Sequence, residues 1–364
     1  MRNLSDGLRV TGLLLYLSFG LSMVALGQQA GNANKPQLKS MDVYRLSIKG
    51  HGLSSGDAEK LEQALVTDPT NLATRLTLIS YYSSRSDEPF RLKKSEHVLW
   101  VIRNVPDSEA LHDDPQLRLI QVEKGFAEAR QLWLKHLDTY KGNLVVLTNA
   151  ADFFLMSDKP LAEQLLKQGA AADAGNPRWP MLLGYLYLVQ KDSTTATTPR
   201  SLAAKAYPQF ELAYKLSSDE QEKHMLLSQL ITSAFEAGDV EQAKSWALAT
   251  LNQGSNARTD LSLADSVHHA HIILGRIALL SGSLTEAREQ LIEAGKTQGS
   301  PVLGSFGPNM LLAKELLEKG ERETVIQYFQ ECASFWKLRG ERLNEWTATV
   351  KGGGMPNFGA NLVY

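Results

Sequence analysis

Cysteine is almost missing from this sequence: Cys332 is the only one. No intramolecular disulfide can form, a pattern that suits an exported chain avoiding unpaired thiols. Cys332 sits on the apolar face of "YFQECASFW" and reads as a small core residue; a nucleophile needs a histidine partner that the sequence does not place beside it. A charge excess is missing too. The 38 Lys and Arg against 40 Asp and Glu leave a net charge of -2, so no global field favours nucleic acid or an anionic membrane. The densest basic run, Arg91, Lys93 and Lys94, reads as a solvated helix face. P-loop, C-x-x-C and H-E-x-x-H patterns are absent, and no catalytic residue, cofactor or metal is assigned.

Long hydrophobic runs are absent after the first thirty residues. Before that, Arg2 and Arg9 precede an apolar run from Val10 to Leu26, which closes on Ala25-Leu26-Gly27 before a polar Gln28. A charged n-region, an h-region and a small-x-small closing site predict a secretory signal peptide over 1–27. The run is at the short end for a spanning helix, so an uncleaved anchor is the one membrane attachment left open. Residues 28–42 read as a polar, flexible leader. The expected location is periplasmic or secreted.

What the chain does have is a repeated spacing. In "HHAHIILGRIALLSGSLTEAREQLIEAGK", Gly275 lies in an apolar helix, Gly282-Ser283 make a turn, and Ala287, Leu291 and Ala294 line a second helix. Ser283 and Glu286 form an S-x-x-E capping box. Small residues let two helices approach; large ones fill the groove between them. The same places are taken by Ala150, Ala162, Leu166 and Gly169; by Ile231, Ala243, Ala247 and Thr250; by Ala313, Val325, Phe329 and Cys332; and by Leu117, Ala129, Trp133 and His136. With longer turns, Leu78 pairs with Ser95 and Leu99, and Gly184 pairs across "KDSTTATTPR" with Ala206, Phe210 and Ala213. Second-helix markers therefore fall at Ser95, Ala129, Ala162, Ala206, Ala243, Ala287 and Val325, separated by 33 to 44 residues.

Seven helix–turn–helix copies near this period resemble the tetratricopeptide repeat family, over about residues 57 to 340. "DPTN" at 68–71 and "NPRWP" at 176–180 match the family's Asp/Asn–Pro openings. The tryptophan, glycine and tyrosine of the family's first helix are mostly replaced. The resemblance is to exported bacterial members, and it implies an all-α, tetratricopeptide-like α-solenoid. The domain expectation is an N-terminal strand and capping helix over 43–68, a solenoid over 69–340, and a C-terminal capping helix with a Gly-rich tail over 341–364. Pro208 is placed in the first turn of a second helix, where its missing N–H goes unneeded.

Local stretches with chemical content have plainer readings beside them. "VYRLSIKGHGLSSGDAEK" reads as strand, glycine loop and helix, but Gly50, Gly52 and Gly56 are spaced one residue too long for a dinucleotide loop. A lead-in strand and capped helix are favoured. His268 and His271 share a helix face and could ligate a metal, yet no carboxylate completes the set; they read as exposed or groove-lining. His112-Asp113-Asp114 reads as a turn with an aspartate N-cap. "LGSFGPN" reads as a shaped connection, and Trp336 and Trp346 as packing residues.

The family resemblance implies a protein or peptide partner bound along the concave face. Projecting the first helices puts Arg75, Tyr82, Phe154, Arg178, Tyr185, His269, Arg276 and Lys314 on that face. A basic groove would suit an acidic or C-terminal carboxylate ligand, and the "NFGANLVY" tail is a candidate to fold back into the chain's own groove. The competing expectation is a helical periplasmic hydrolase of sugar or peptide, using groove carboxylates such as Glu211, Glu236 or Asp152.

Overall fold

The computed structural model describes residues 38, 40–189, 198–253, 261 and 263–362. The signal peptide, most of the leader and much of the 191–200 connection lie outside them. The described residues are all-helical: eighteen α-helices and two 3-10 turns, with no strand. They divide into two compact units, one ending at Gly175 and the other starting at Asn176.

The first unit contains α1 (Ser40–His51), α2 (Ser55–Thr67), α3 (Leu72–Ser83), α4 (Glu88–Asn104), α5 (Ala110–Asp113), a 3-10 turn (Pro115–Leu117), α6 (Phe126–Thr139), α7 (Leu144–Phe154) and α8 (Lys159–Ala172). The predicted strand is α1. Val43 and Gly50 lie seven apart on one helix face, and both are buried where α1 packs on α3. Gly50 is there for close approach. A Cβ on it would stand 2.3 Å from the Thr77 carbonyl oxygen and 2.5 Å from Ser80 Cβ. The glycine that suggested a nucleotide loop is a helix-crossing point.

Helices α3 and α4 pair, as do α7 and α8. Their registers carry the expected small and large residues: Leu78, Ser95, Ala129, Ala150 and Ala162 are all buried. Asn71 and Asp158 cap α3 and α8 through their side chains, each taking one orphan N–H. One expected first helix does not form. Leu117 ends a 3-10 turn inside an irregular bracket over 105–125. Pro106 and Pro115 disfavour a helical conformation in the residues before them, and Asp114 is extended, with its carboxylate accepting the Gln116 N–H. Buried polar groups hold the bracket. Asn149 Nδ2 donates to the Pro106 and Ser108 carbonyls, and Arg118 grips Asp152 through two bonds of 2.9 and 3.1 Å.

The second unit contains α9 (Arg178–Val189), α10 (Pro199–Leu216), α11 (Glu220–Ala237), α12 (Val240–Leu251), α13 (Ala264–Leu280), α14 (Leu284–Gly295), α15 (Pro301–Phe306), α16 (Leu311–Glu318), α17 (Arg322–Cys332), α18 (Gly340–Lys351) and a 3-10 turn (Gly359–Leu362). Hairpins α9–α10, α11–α12, α13–α14 and α16–α17 pack internally. First helices also meet, α11 on α13 and α13 on α16, and second helix α14 meets α17. The markers Ala206, Ala243, Ala287 and Val325 are fully buried. At Gly184 the Phe210 ring stands 2.7 Å from where a Cβ would be, and at Gly275 Leu312 stands 2.2 Å away. Small against large is the packing rule of this unit.

Two local expectations are corrected. Ser283 is the N-cap of α14 but makes no side-chain cap bond. Pro208 lies deep inside α10, because that helix begins at Pro199, before the marker register rather than at it. The tail packs on the last helices rather than in a groove of first helices: Phe358 is buried against Phe329 and Trp346, at ring distances of 6.2 and 5.0 Å. Trp336, Trp346 and Cys332 are buried in the same cluster, as packing residues.

Candidate functional site

The first unit holds an open cleft of about 470 Å³. Its walls are Glu62, Leu65 and Val66 of α2, Arg75 of α3, Lys93, Glu96, His97, Leu99, Trp100 and Arg103 of α4, and Glu128 of α6. Helix pairing builds it. Arg75 and Tyr82 lie seven apart on α3, while Lys93, His97 and Trp100 follow one stripe of α4; the α3–α4 hairpin turns those stripes together.

Four side chains are locked into a relay at the inner end. Tyr82 donates its hydroxyl to Glu62 Oε1 at 2.6 Å. His97 Nε2 lies 3.1 Å from the same oxygen, and His97 Nδ1 lies 3.2 Å from Arg75 Nη1. An arginine can only donate, so Nδ1 accepts and Nε2–H donates to Glu62. His97 is thereby a neutral imidazole with its tautomer set from both sides. Arg75 also donates to the Pro69 carbonyl at 2.7 Å and stacks over the Trp100 ring at 4.0 Å. Tyr82 and His97 rings stack at 5.8 Å.

The charges follow from this geometry. Burial pushes the His97 pKa down; Glu62 opposes that, while Arg75 and Lys93 add to it. Burial works against charge on Glu62, but the Tyr82 hydroxyl and His97 together hold its pKa below the ordinary value. Burial and the Glu62 carboxylate push the Tyr82 phenol far up. The relay therefore carries a separated pair, Arg75 positive and Glu62 negative, bridged by an uncharged ring. Outside it, Lys93, Glu96, Arg103 and Glu128 are exposed on the rim as two ion pairs, Lys93–Glu96 and Arg103–Glu128. Val66 adds an exposed apolar edge, and Trp100 is half-buried beside it.

No family model, curated protein or solved structure matches this chain.

Of the eight residues projected onto a concave face, Arg75 is a buried member of this cleft's wall, and Tyr82 is buried behind it, bonded to Glu62. The others stand elsewhere. Phe154 is fully buried in the first unit. In the second unit Arg178, Tyr185 and His269 are buried, with the Tyr185 ring edge-on to Phe210 at 5.1 Å. Arg276 is a clamp across three first helices: it bonds Glu236 at 2.7 Å and Glu315 at 2.9 Å, and lies over Phe235. Lys314 pairs with Glu318 one turn on. The idea of a basic groove built on Arg178 and Arg276 is corrected: one guanidinium is inside, and the other is matched by two carboxylates. Helix projection gives direction but not depth, and it assigned core-facing stripes to the surface.

The other flagged groups are also engaged. Asp152 pairs with Arg118, Glu211 with Lys215 and Glu236 with Arg276. His268, His269 and His271 are buried rather than exposed; His268 lies 2.9 Å from the Ala294 carbonyl, and His271 lies 2.7 Å from Gln290. Among the described residues, no group of three His, Cys, Asp or Glu side chains is placed to hold a metal, and no helix is long and apolar enough to cross a membrane. Sequence reasoning missed Glu62, His97 and Trp100. The sign was present in the Lys93/His97/Trp100 spacing, which had to face Arg75/Tyr82 once α3 and α4 paired.

Proposed function

We propose that this chain is an exported, tetratricopeptide-like scaffold without catalytic activity, which binds an extended segment of a protein partner in the α2–α3–α4 cleft. The observation that carries this reading is the cleft's division of labour. Its inner wall is held rigid by the Tyr82–Glu62–His97–Arg75 relay and the Arg75–Trp100 stack, while charges of both signs and the Val66 edge face solvent. Preorganised walls lower the ordering cost of binding, and arginine with aromatic neighbours is the composition that concentrates interface energy. Hairpins with small residues at each crossing support the scaffold class, and the residue 1–27 pattern supports export. Equal numbers of rim acids and bases suit a segment with charges of both signs around an apolar side chain, rather than a purely acidic one.

Photo-crosslinking in the organism of origin tests this. A crosslinking residue at Glu96 should trap a discrete protein adduct, and Lys93→Glu with Arg103→Glu should reduce it several-fold without changing the melting temperature. The same residue placed at Lys215 should trap nothing comparable. Identical adducts from both positions, or indifference to the charge reversals, would sink the proposal.

A further inference from the structure

The second unit ends in a socket that its own tail fills. Gly352, Gly353 and Gly354 leave α18 exposed, with Gly353 at φ +85°. Pro356, Phe358 and Asn361 then turn inward, while Asn357 and Gly359 remain exposed. Phe358 is 1% exposed between Phe329 and Trp346. Asn361 is 2% exposed; its side-chain amide donates to the Phe306 carbonyl at 3.1 Å and the Pro308 carbonyl at 2.9 Å, and its own carbonyl accepts the Met310 N–H at 2.8 Å.

The wall of the socket is held by groups outside the tail. The Asn309 N–H donates to His268 Nε2 at 3.0 Å, and Tyr328 donates its hydroxyl to the Asn309 carbonyl at 2.8 Å. Gly307, at φ +91°, lies flat on Trp336, where a Cβ would stand 2.3 Å from the indole. These contacts fix the 306–310 backbone with two carbonyls and one N–H aimed at a single asparagine. Such a site reads an aromatic side chain and, three residues later, a carboxamide: one pocket for shape and one for hydrogen-bond pattern.

We propose that this socket is a peptide-recognition site for a Phe-x-x-Asn segment, loaded in cis by residues 356–361 and able to take the same residues from a second copy. Three consecutive glycines join α18 to the anchors; their N–H groups bond the Ala348, Val350 and Thr349 carbonyls at the end of α18, and no side chain of their own ties the strap to its socket. Exchange of an identical element across such a hinge is the low-cost route to a dimer.

Cys332 is the sole thiol and lies buried in the same aromatic cluster, so its labelling rate reports whether the socket is filled. In the full-length Phe358→Ala, Asn361→Ala chain, thiol labelling should accelerate at least tenfold over wild type. A synthetic peptide of residues 353–362 should restore slow labelling saturably, and the same peptide carrying Asn361→Ala should not. A folded double variant whose labelling the wild-type peptide leaves unchanged overturns the proposal. Should the double variant not fold, deleting residues 352–354 from the wild-type chain decides. The strap then falls short of its own socket, so light scattering should report a dimer that the 353–362 peptide dissociates. A monomer with fast Cys332 labelling overturns it.

Discussion

At the scale of single residues, histidines set the acid response. His268 accepts the Asn309 N–H on Nε2 and donates from Nδ1 to the Ala294 carbonyl, so the folded unit holds it neutral. Burial, with His269 beside it, pushes its pKa down to about 3. An unfolded histidine titrates near 6.5. Between these values the unfolded state binds the proton and the folded state does not, so His268 removes stability as pH falls from about 6.5 towards 3. Other groups titrate in this range: the buried Glu222 and the half-buried Glu315 have raised pKa values and act in the opposite sense. The test is therefore a difference. His268→Gln can keep one donor and one acceptor but cannot take a charge. Urea midpoints of wild type and variant, measured from pH 7.5 to 4.5, should converge or cross as pH falls, with wild type losing more. Parallel curves would refute the assignment. None of this was legible in "HHAH". The sequence shows three histidines; which backbone groups they meet depends on where the 294 and 309 carbonyl and amide arrive.

At the scale of elements, the helix-crossing points were legible and the first helix was not. Small residues at Ala150, Gly184, Gly275 and Ala313 stand out because two helix axes cannot approach over a large side chain. The stretch after Asp42 misled because "VYRLSI" alternates over a short window, and six residues cannot separate a strand from one turn and a half of amphipathic helix. The glycines decide between the two readings. Gly50→Ala puts a methyl against the Thr77 carbonyl, which is backbone and cannot swing away; it should destabilise the first unit by ~1–3 kcal/mol through overpacking. Gly56 lies in α2 with nothing within 4 Å of its absent Cβ, so Gly56→Ala should be neutral or stabilising by up to ~1 kcal/mol. Chemical denaturation followed by circular dichroism gives both signs in one experiment. A glycine loop cradling phosphate would instead lose ligand in both variants with little change in stability. The irregular bracket over 105–125 escaped for a different reason. The spacing of Leu117 to Ala129 matches the repeat, but spacing does not register the restriction that Pro106 and Pro115 put on the residues before them.

At the scale of the whole molecule, periodicity reveals neighbours but not division. Within the second unit neighbouring hairpins pack on one another, and the sequence markers recur on both sides of Gly175 without a break in spacing. The described residues nonetheless form two compact units, one before Asn176 and one from it onward. The cluster of Ala58, Leu65, Leu78, Tyr81 and Tyr82 lies wholly in the first unit. The clusters built on Ile231, Ala243 and Ala270 and on Leu291, Leu316 and Trp336 lie wholly in the second. Each unit also carries its own polar anchors, Arg118–Asp152 in the first and Glu236–Arg276–Glu315 in the second. Two compact units with these clusters inside them lead to a direct expectation: residues 38–175 and residues 176–362, expressed separately, should each be helical and unfold cooperatively. Differential scanning calorimetry of each piece is the measurement, with circular dichroism confirming the helix content. The two pieces should also divide the chemistry, with the Glu96 crosslink surviving in 38–175 and protection of Cys332 by the tail surviving in 176–362. A piece that shows only coil, or that regains helix only when its counterpart is added, would mean that the units share a core and that neither socket nor cleft can be assigned to one of them.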